Sequence, residues 1–188
     1  MNDKVILSMV TLDSAIDLEY ITKINFDLGI NIQDQLNRGL KLFPLATNCI
    51  DAGLDYYKRI PRLQPMVIDA WNNMVQAALA NNIELYICSA FRDYDYQANL
   101  ITRKLVKGMD INNIIKILAP PGFSEHHTGC AIDIISSEMQ ELDESFENTK
   151  AFQWLTQHAK NYNFFMTYPR DNTYGVIYEP WHWCYRAI

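Results

Sequence analysis

The 188 residues carry 22 acidic and 16 basic side chains, for a formal net charge of -6, and 49% of them are hydrophobic. That balance excludes a nucleic-acid partner, because a phosphate backbone is bound by a concentrated Lys/Arg surface and no Lys/Arg run here exceeds two residues. Length and apolar content suit a single domain, residues 1–188, with its own core and no polar linker to divide it, and no stretch approaches the roughly 20 apolar residues of a membrane span.

At the start of the chain the run from Val5 to Val10 is broken by Ser8. It falls short of the roughly 7 to 15 apolar residues of a secretory h-region. The expectation is a soluble protein with no visible signal peptide, cytoplasmic or exported by a route that the sequence does not display. Val5 to Leu12 has the look of a strand, Asn25 to Gly39 that of an irregular stretch, and Ile50 to Tyr57 that of short helices. Cys49, Cys88, Cys130 and Cys184 stand far apart with no CxxC pair, which argues for buried free thiols rather than a zinc ribbon or a redox motif.

From Gln64 the pattern sharpens. Met66, Val67, Ala70, Trp71, Met74, Ala77 and Ala78 recur at helical spacing and the run stops at Asn81-Asn82, predicting a core helix of about four turns. Ile83 to Cys88 reads as a buried strand that feeds a polar loop, Ser89 to Asp95. Helices follow from Tyr94 to Val106, capped by Asp93, and from Asp110 to Leu118, stopped by Pro120-Pro121-Gly122. Cys130 to Ile135 is a second strand, with Cys130, Ile132 and Ile134 facing the core and Asp133 left in a cleft. Asn148 or Thr149 caps a helix ending near Tyr162, with Phe152, Leu155 and Ala159 on one stripe. Phe164 to Tyr168, Tyr174 to Tyr178 and Trp181 to Tyr185 then suggest a closing antiparallel meander. The order predicts an α+β fold, helices packed on a small central antiparallel sheet.

Three of the four histidines, His126, His127 and His182, lie in two polar segments, SEHHTGCAID and EPWH. Two imidazoles and a carboxylate, His126, His182 and Asp133, supply three zinc ligands and leave a fourth position open, which is the stoichiometry of a catalytic site. Gly129 lets the backbone turn between the first two. Glu179, three positions before His182, is placed to accept a proton from water activated by the metal and return it to a leaving amine. His127 and His158 read as structural.

Together these segments resemble the VanY-type D-alanyl-D-alanine carboxypeptidases and their VanX-type dipeptidase relatives, within the lysostaphin and hedgehog zinc fold. The pattern SxHxxGxAxD followed by ExWH is present in full. Ser89 to Gln97 is similar to the family's SGYRSxxxQ stretch, and Asn161 to Pro169 to its NYGFxxRYP stretch, with Asn163 in place of the Gly and Thr167 in place of the Arg. Cys184 stands where an Arg usually follows the last histidine, which bears on the substrate pocket rather than on the metal site. The resemblance covers Gln64 to Arg186 and leaves residues 1–63 as a divergent N-terminal part. It implies a zinc-dependent D,D- or L,D-carboxypeptidase acting on peptidoglycan stem peptides or D-Ala-terminated precursors. By that resemblance Arg92 binds a substrate carboxylate or the developing oxyanion, Gln97 and Ser124 hydrogen-bond the peptide, and Tyr168, Tyr178 and Trp181 line the cleft. Two other readings remain open: a phage-type L-alanyl-D-glutamate endopeptidase, and a non-enzymatic hedgehog-like domain that uses its zinc site for protein binding.

Overall fold

The computed structural model describes residues 16–187. The strand expected at Val5 to Leu12 lies outside them. The stretch expected to be irregular after Asn25 instead belongs to two short helices, α1 (Leu18–Asp27) and α2 (Ile32–Asn37). Their starts are set by Asp17 and Asn31, whose side chains accept from the backbone N–H of Tyr20 and Gln33, and the turns after them fall at Gly29 and Gly39. Apolar periodicity is weak here because only part of each helix is buried, so the caps carry the signal.

No helix forms at Ile50 to Tyr57. Ile50–Asp51 is a short strand, β1, paired antiparallel with β2, Arg62–Leu63. The connection bends at Gly53, and Asp55 uses its carboxylate to hold the backbone N–H and the guanidinium of Arg59. That local side-chain bonding competes with helical bonding.

Helix α3 (Pro65–Leu79) buries Val67, Trp71, Met74 and Ala78, one stripe at i, i+4, i+7 and i+11, while Met66 from the expected set is exposed. Pro65 opens it at the position where a missing N–H costs nothing. Strand β3 (Leu85–Ser89) leads into α4 (Tyr94–Val106), capped by Asp93, and then α5 (Ile111–Ile117), capped by Asp110. A single 3-10 turn, Glu125–Thr128, precedes β4 (Ala131–Ser136). Thr149 caps α6 (Lys150–His158), whose buried residues are Ala151, Trp154 and Leu155, with Phe152 only half-buried. His158 ends this helix with its ring against Trp154, 4.9 Å between centroids, in keeping with a structural role.

The closing strands are β5 (Phe164–Met166) and β6 (His182–Tyr185). Tyr174 to Tyr178 is not a strand. Its backbone bonds go elsewhere, Ile177 N–H to the carbonyl of Lys116 and Val176 carbonyl to the amide of Asn172, so no ladder forms. The sheet is antiparallel in the order β3-β4-β6-β5. This is the α+β architecture that the pattern predicts.

β4 is central, and all six of its residues are buried. Ile132 and Ile134 join Val67, Trp71, Met74, Leu155 and Trp183 in one core, each fully buried aliphatic side chain contributing roughly 1.5 to 3 kcal/mol. Residues before β1 are laid over the turn that precedes β4: Asn25 donates to the carbonyl of Pro121, Phe43 N–H to Gly122 and Ala46 N–H to His127. All four cysteines are free, with Cys49, Cys130 and Cys184 buried and Cys88 half-buried. Among the described residues no helix is long and apolar enough to cross a membrane.

Candidate metal centre

Strand register brings the site together. Asp133 of β4 is the direct antiparallel partner of His182 in β6 and of Ser89 at the end of β3, so a carboxylate and an imidazole stand side by side on adjacent strands. The β3 register shifts between Ile87 and Ser89, just where the chain leaves the sheet toward Arg92. His126 arrives from the 3-10 turn. Ser124 caps that turn through its hydroxyl, and Gly129 ends it with φ of 66°. Gln64 ties the start of α3 to the same turn, bonding the carbonyls of Thr128 and Gly129.

One ligand atom each from His126, Asp133 and His182 lies within 4.8 Å of the other two, and all three residues are buried. His126 Nε2 is 3.3 Å and His182 Nδ1 3.1 Å from Asp133 Oδ1. The far side of each ligand is held. His126 Nδ1 donates to the carbonyl of Ala90 at 2.7 Å, His182 Nε2 to Glu125 Oε2 at 3.0 Å, and Asp133 Oδ2 accepts from Arg92 Nη2 at 2.5 Å. Two imidazoles and one carboxylate, each oriented from behind, fit a divalent cation with a position left for water or substrate.

The electrostatics suit such an ion. Burial, with Arg92 adding to it, pushes His126 down to about 4, so the ring is neutral and free to ligate. Burial pushes Asp133 up, but the neighbouring imidazoles and Arg92 outweigh it and hold the carboxyl well below its ordinary value. Burial likewise opposes charge on His182, yet Asp133 and Glu125, one at each ring nitrogen, raise it to about 10. Both ring nitrogens of His182 thus face carboxylates, an environment that favours positive charge at this position.

Glu179 Oε2 lies 3.9 Å from His182 Nδ1. Burial raises Glu179 to about 7, with Asp133 and Glu125 adding to the shift and His182 and Arg92 opposing it. The loop bearing it is fixed by Glu179 N–H to the carbonyl of Tyr168 and by His182 N–H to the carbonyl of Glu179.

A cavity of about 320 Å³ opens on these groups, lined among others by Arg92, Gln97, Ser124, Tyr168, Glu179 and Trp181. Tyr168 packs against His182 at 4.9 Å between ring centroids. Gln97 is fully buried and spends its amide on Arg92 Nη1 and the carbonyl of Ala119. Arg92 is gripped by Ser89, Gln97 and Asp133 through three of its five N–H donors, and it lines the cavity. Tyr178 stands apart from the cavity lining and stacks under Arg170, 4.2 Å from ring centroid to guanidinium carbon. Both ring nitrogens of His127 are spent on the backbone, on the carbonyl of Arg92 and the N–H of Gly122. Lys104, Ile117 and Leu142 are also part of the wall, with no motif to announce them. Glu125 also escaped sequence reading; the histidine motif leaves its position unspecified, and its burial beside His182 exists only in the fold.

Comparison with known proteins places this geometry. The family model described as VanY, D-alanyl-D-alanine carboxypeptidase, matches residues 61–188. The bifunctional D-Ala-D-Ala dipeptidase and carboxypeptidase VanXYC of Enterococcus gallinarum is 33% identical over 132 residues, 67% of this chain and 68% of that protein. YodJ of Bacillus subtilis (strain 168) is 36% identical over 118 residues, 61% of this chain and 42% of YodJ. The chain thus spans less than half the length of that relative. Among solved structures, the LdcB LD-carboxypeptidase superposes with a TM-score of 0.68 at 29% identity, covering 81% of this chain and 78% of that one. A mutant of the vancomycin resistance D,D-pentapeptidase VanY, in complex with Zn(II), shares the fold, with a TM-score of 0.61 at 21% identity, over 78% of this chain and 85% of that one. With a family match that runs from β2 through the last strand and includes every side chain of the metal centre, the chain belongs to the VanY family.

Proposed function

We propose that this chain is a zinc-dependent carboxypeptidase that removes the C-terminal residue of a peptidoglycan stem peptide or a D-Ala-terminated precursor, cutting a D,D or L,D bond. The observation that carries this reading is a buried carboxylate, Glu179, 3.9 Å from one of three converging ligand atoms at the floor of a cavity that also receives Arg92. VanXYC acts as a D-Ala-D-Ala dipeptidase and carboxypeptidase and LdcB as an LD-carboxypeptidase, and both similarities support the substrate class.

His126, Asp133 and His182 would hold the zinc. When bound, zinc supplies Lewis acidity that polarises the scissile carbonyl and eases deprotonation of an attacking water. Glu179 takes the proton of that water on a carboxylate oxygen and delivers it to the amide nitrogen as the C–N bond breaks. Water oxygen ends on the acyl product and the proton on the departing amine, so the step balances. Arg92 turns its two remaining donors to a substrate oxygen, and the bonds from Ser89, Gln97 and Asp133 hold the fork in place beforehand. Ser124, Tyr168 and Trp181 wall the peptide and exclude bulk water.

The test is mass spectrometry of muropeptide pentapeptide and tetrapeptide stems incubated with zinc-loaded protein and with its Glu179→Gln variant. Release of one terminal residue by the wild type, and a loss in kcat of about 10² to 10⁴ in the variant, is expected. Release of whole stems, or full activity of Glu179→Gln, would contradict it.

A further inference from the structure

His126 and His182 are oriented in different ways. His126 leans on a backbone carbonyl, whereas His182 depends on a side chain, Glu125, 57 residues earlier in sequence. A neutral imidazole exchanges its proton between two nitrogens and can also turn over, so only a partner at Nε2 keeps Nδ1 available to the site. Glu125 is itself constrained. Thr167 donates its hydroxyl to the same Oε2 at 2.7 Å, and Arg186 reaches to 3.9 Å from Oε1 and donates to Thr167 Oγ1 at 3.4 Å. A carboxylate only 8% exposed is costly unless its oxygens are matched, and here each faces a donor or a cation. Thr167 sits just after β5 and Arg186 just after β6, so the strand pair that carries His182 also carries the clamp on its partner.

We propose that Glu125, locked by Thr167 and faced by Arg186, is the positioning residue that presents His182 Nδ1 to the metal. The inference rests on the zinc reading above. It makes the His182 limb of the site adjustable through residues that never touch the ion, in contrast to the His126 limb, which is fixed by backbone.

Zinc affinity is measured by competition with a chromogenic chelator on metal-stripped wild type, Glu125→Ala, Glu125→Gln and Thr167→Val, with folding checked by circular dichroism and kcat and KM taken at saturating zinc. Glu125→Ala is expected to weaken zinc binding about 10- to 100-fold. Glu125→Gln, whose amide oxygen still accepts from Nε2, is expected to recover most of the affinity, to within about threefold of wild type. Thr167→Val, remote from the ligands and close to isosteric, is expected to weaken binding by a smaller factor, about two- to fivefold, and decides the matter should Glu125→Ala fail to fold. At saturating zinc the loss falls on kcat with KM little changed. A folded Glu125→Ala within twofold of wild type overturns the positioning role, as does a Gln variant as weak as the Ala variant, which would point to charge rather than orientation. Wild-type protein that takes up no zinc would overturn the metal reading itself, which separates the two failures.

Discussion

Gly129 turns the backbone at φ of 66° between the His126 turn and β4, and a Cβ added there would collide with Cys49 Sγ and press on Gln64 Cγ at 3.3 Å. Strain in a left-handed conformation and overpacking act together, so Gly129→Ala is expected to lose about 2 to 4 kcal/mol of stability in urea unfolding and to weaken zinc binding with it. Glu179 invites a test of sign in protein stripped of metal. Its folded value, about 7, lies above its ordinary 4.5, so the stability linked to its protonated form is whole below 4.5 and lost as pH rises through 7. The loss is on the order of 3 kcal/mol. Metal-free Glu179→Gln should therefore match wild type near pH 4.5 and exceed it in melting temperature at pH 8; equal temperatures at pH 8 would refute the raised value.

Elements, unlike single residues, place the groups that line the cavity through their ends. Asp93 caps α4 by accepting from Tyr96 N–H at 2.7 Å, and α4 carries Gln97 against Arg92. Asp93→Ala should cost about 1 kcal/mol, a fall of roughly 2 to 4 °C in melting temperature. A second effect on Arg92 would appear as a rise in KM beyond what the stability loss explains. The cap at Asp93, and the one at Asn148 or Thr149 that the fold gives to Thr149, were legible because the signal is local, a short polar side chain before a periodic run. Tyr174 to Tyr178 misled for the opposite reason: aromatic and β-branched composition favours a strand, but a strand needs a neighbour, and these backbone groups bond to Lys116 and Asn172 instead.

At the scale of the whole molecule the metal centre is also a cross-link, joining the turn before β4 to two strands of the sheet. A ligand that binds only the folded chain stabilises it by about 2.7 kcal/mol at a free concentration of 100 times Kd. Stripping zinc with a chelator is expected to lower the melting temperature by about 5 to 10 °C, with recovery on adding zinc back, and an unchanged transition would count against a bound ion. The local charges support this: Asp133, Glu125 and Glu179 gather around His182, with Arg92 as the permanent cation beside Asp133.

Donor types, their spacing and helix starts are written in neighbouring residues, so the chemistry on offer and most of the helices could be read from the chain alone. Tertiary structure decided the rest. Which strand lies beside which set Asp133 opposite His182 across 49 residues of chain, and burial turned Glu125 from an unspecified motif position into the partner of His182. Those are properties of pairing register and of the dielectric around a group, and both come into being only when distant segments pack.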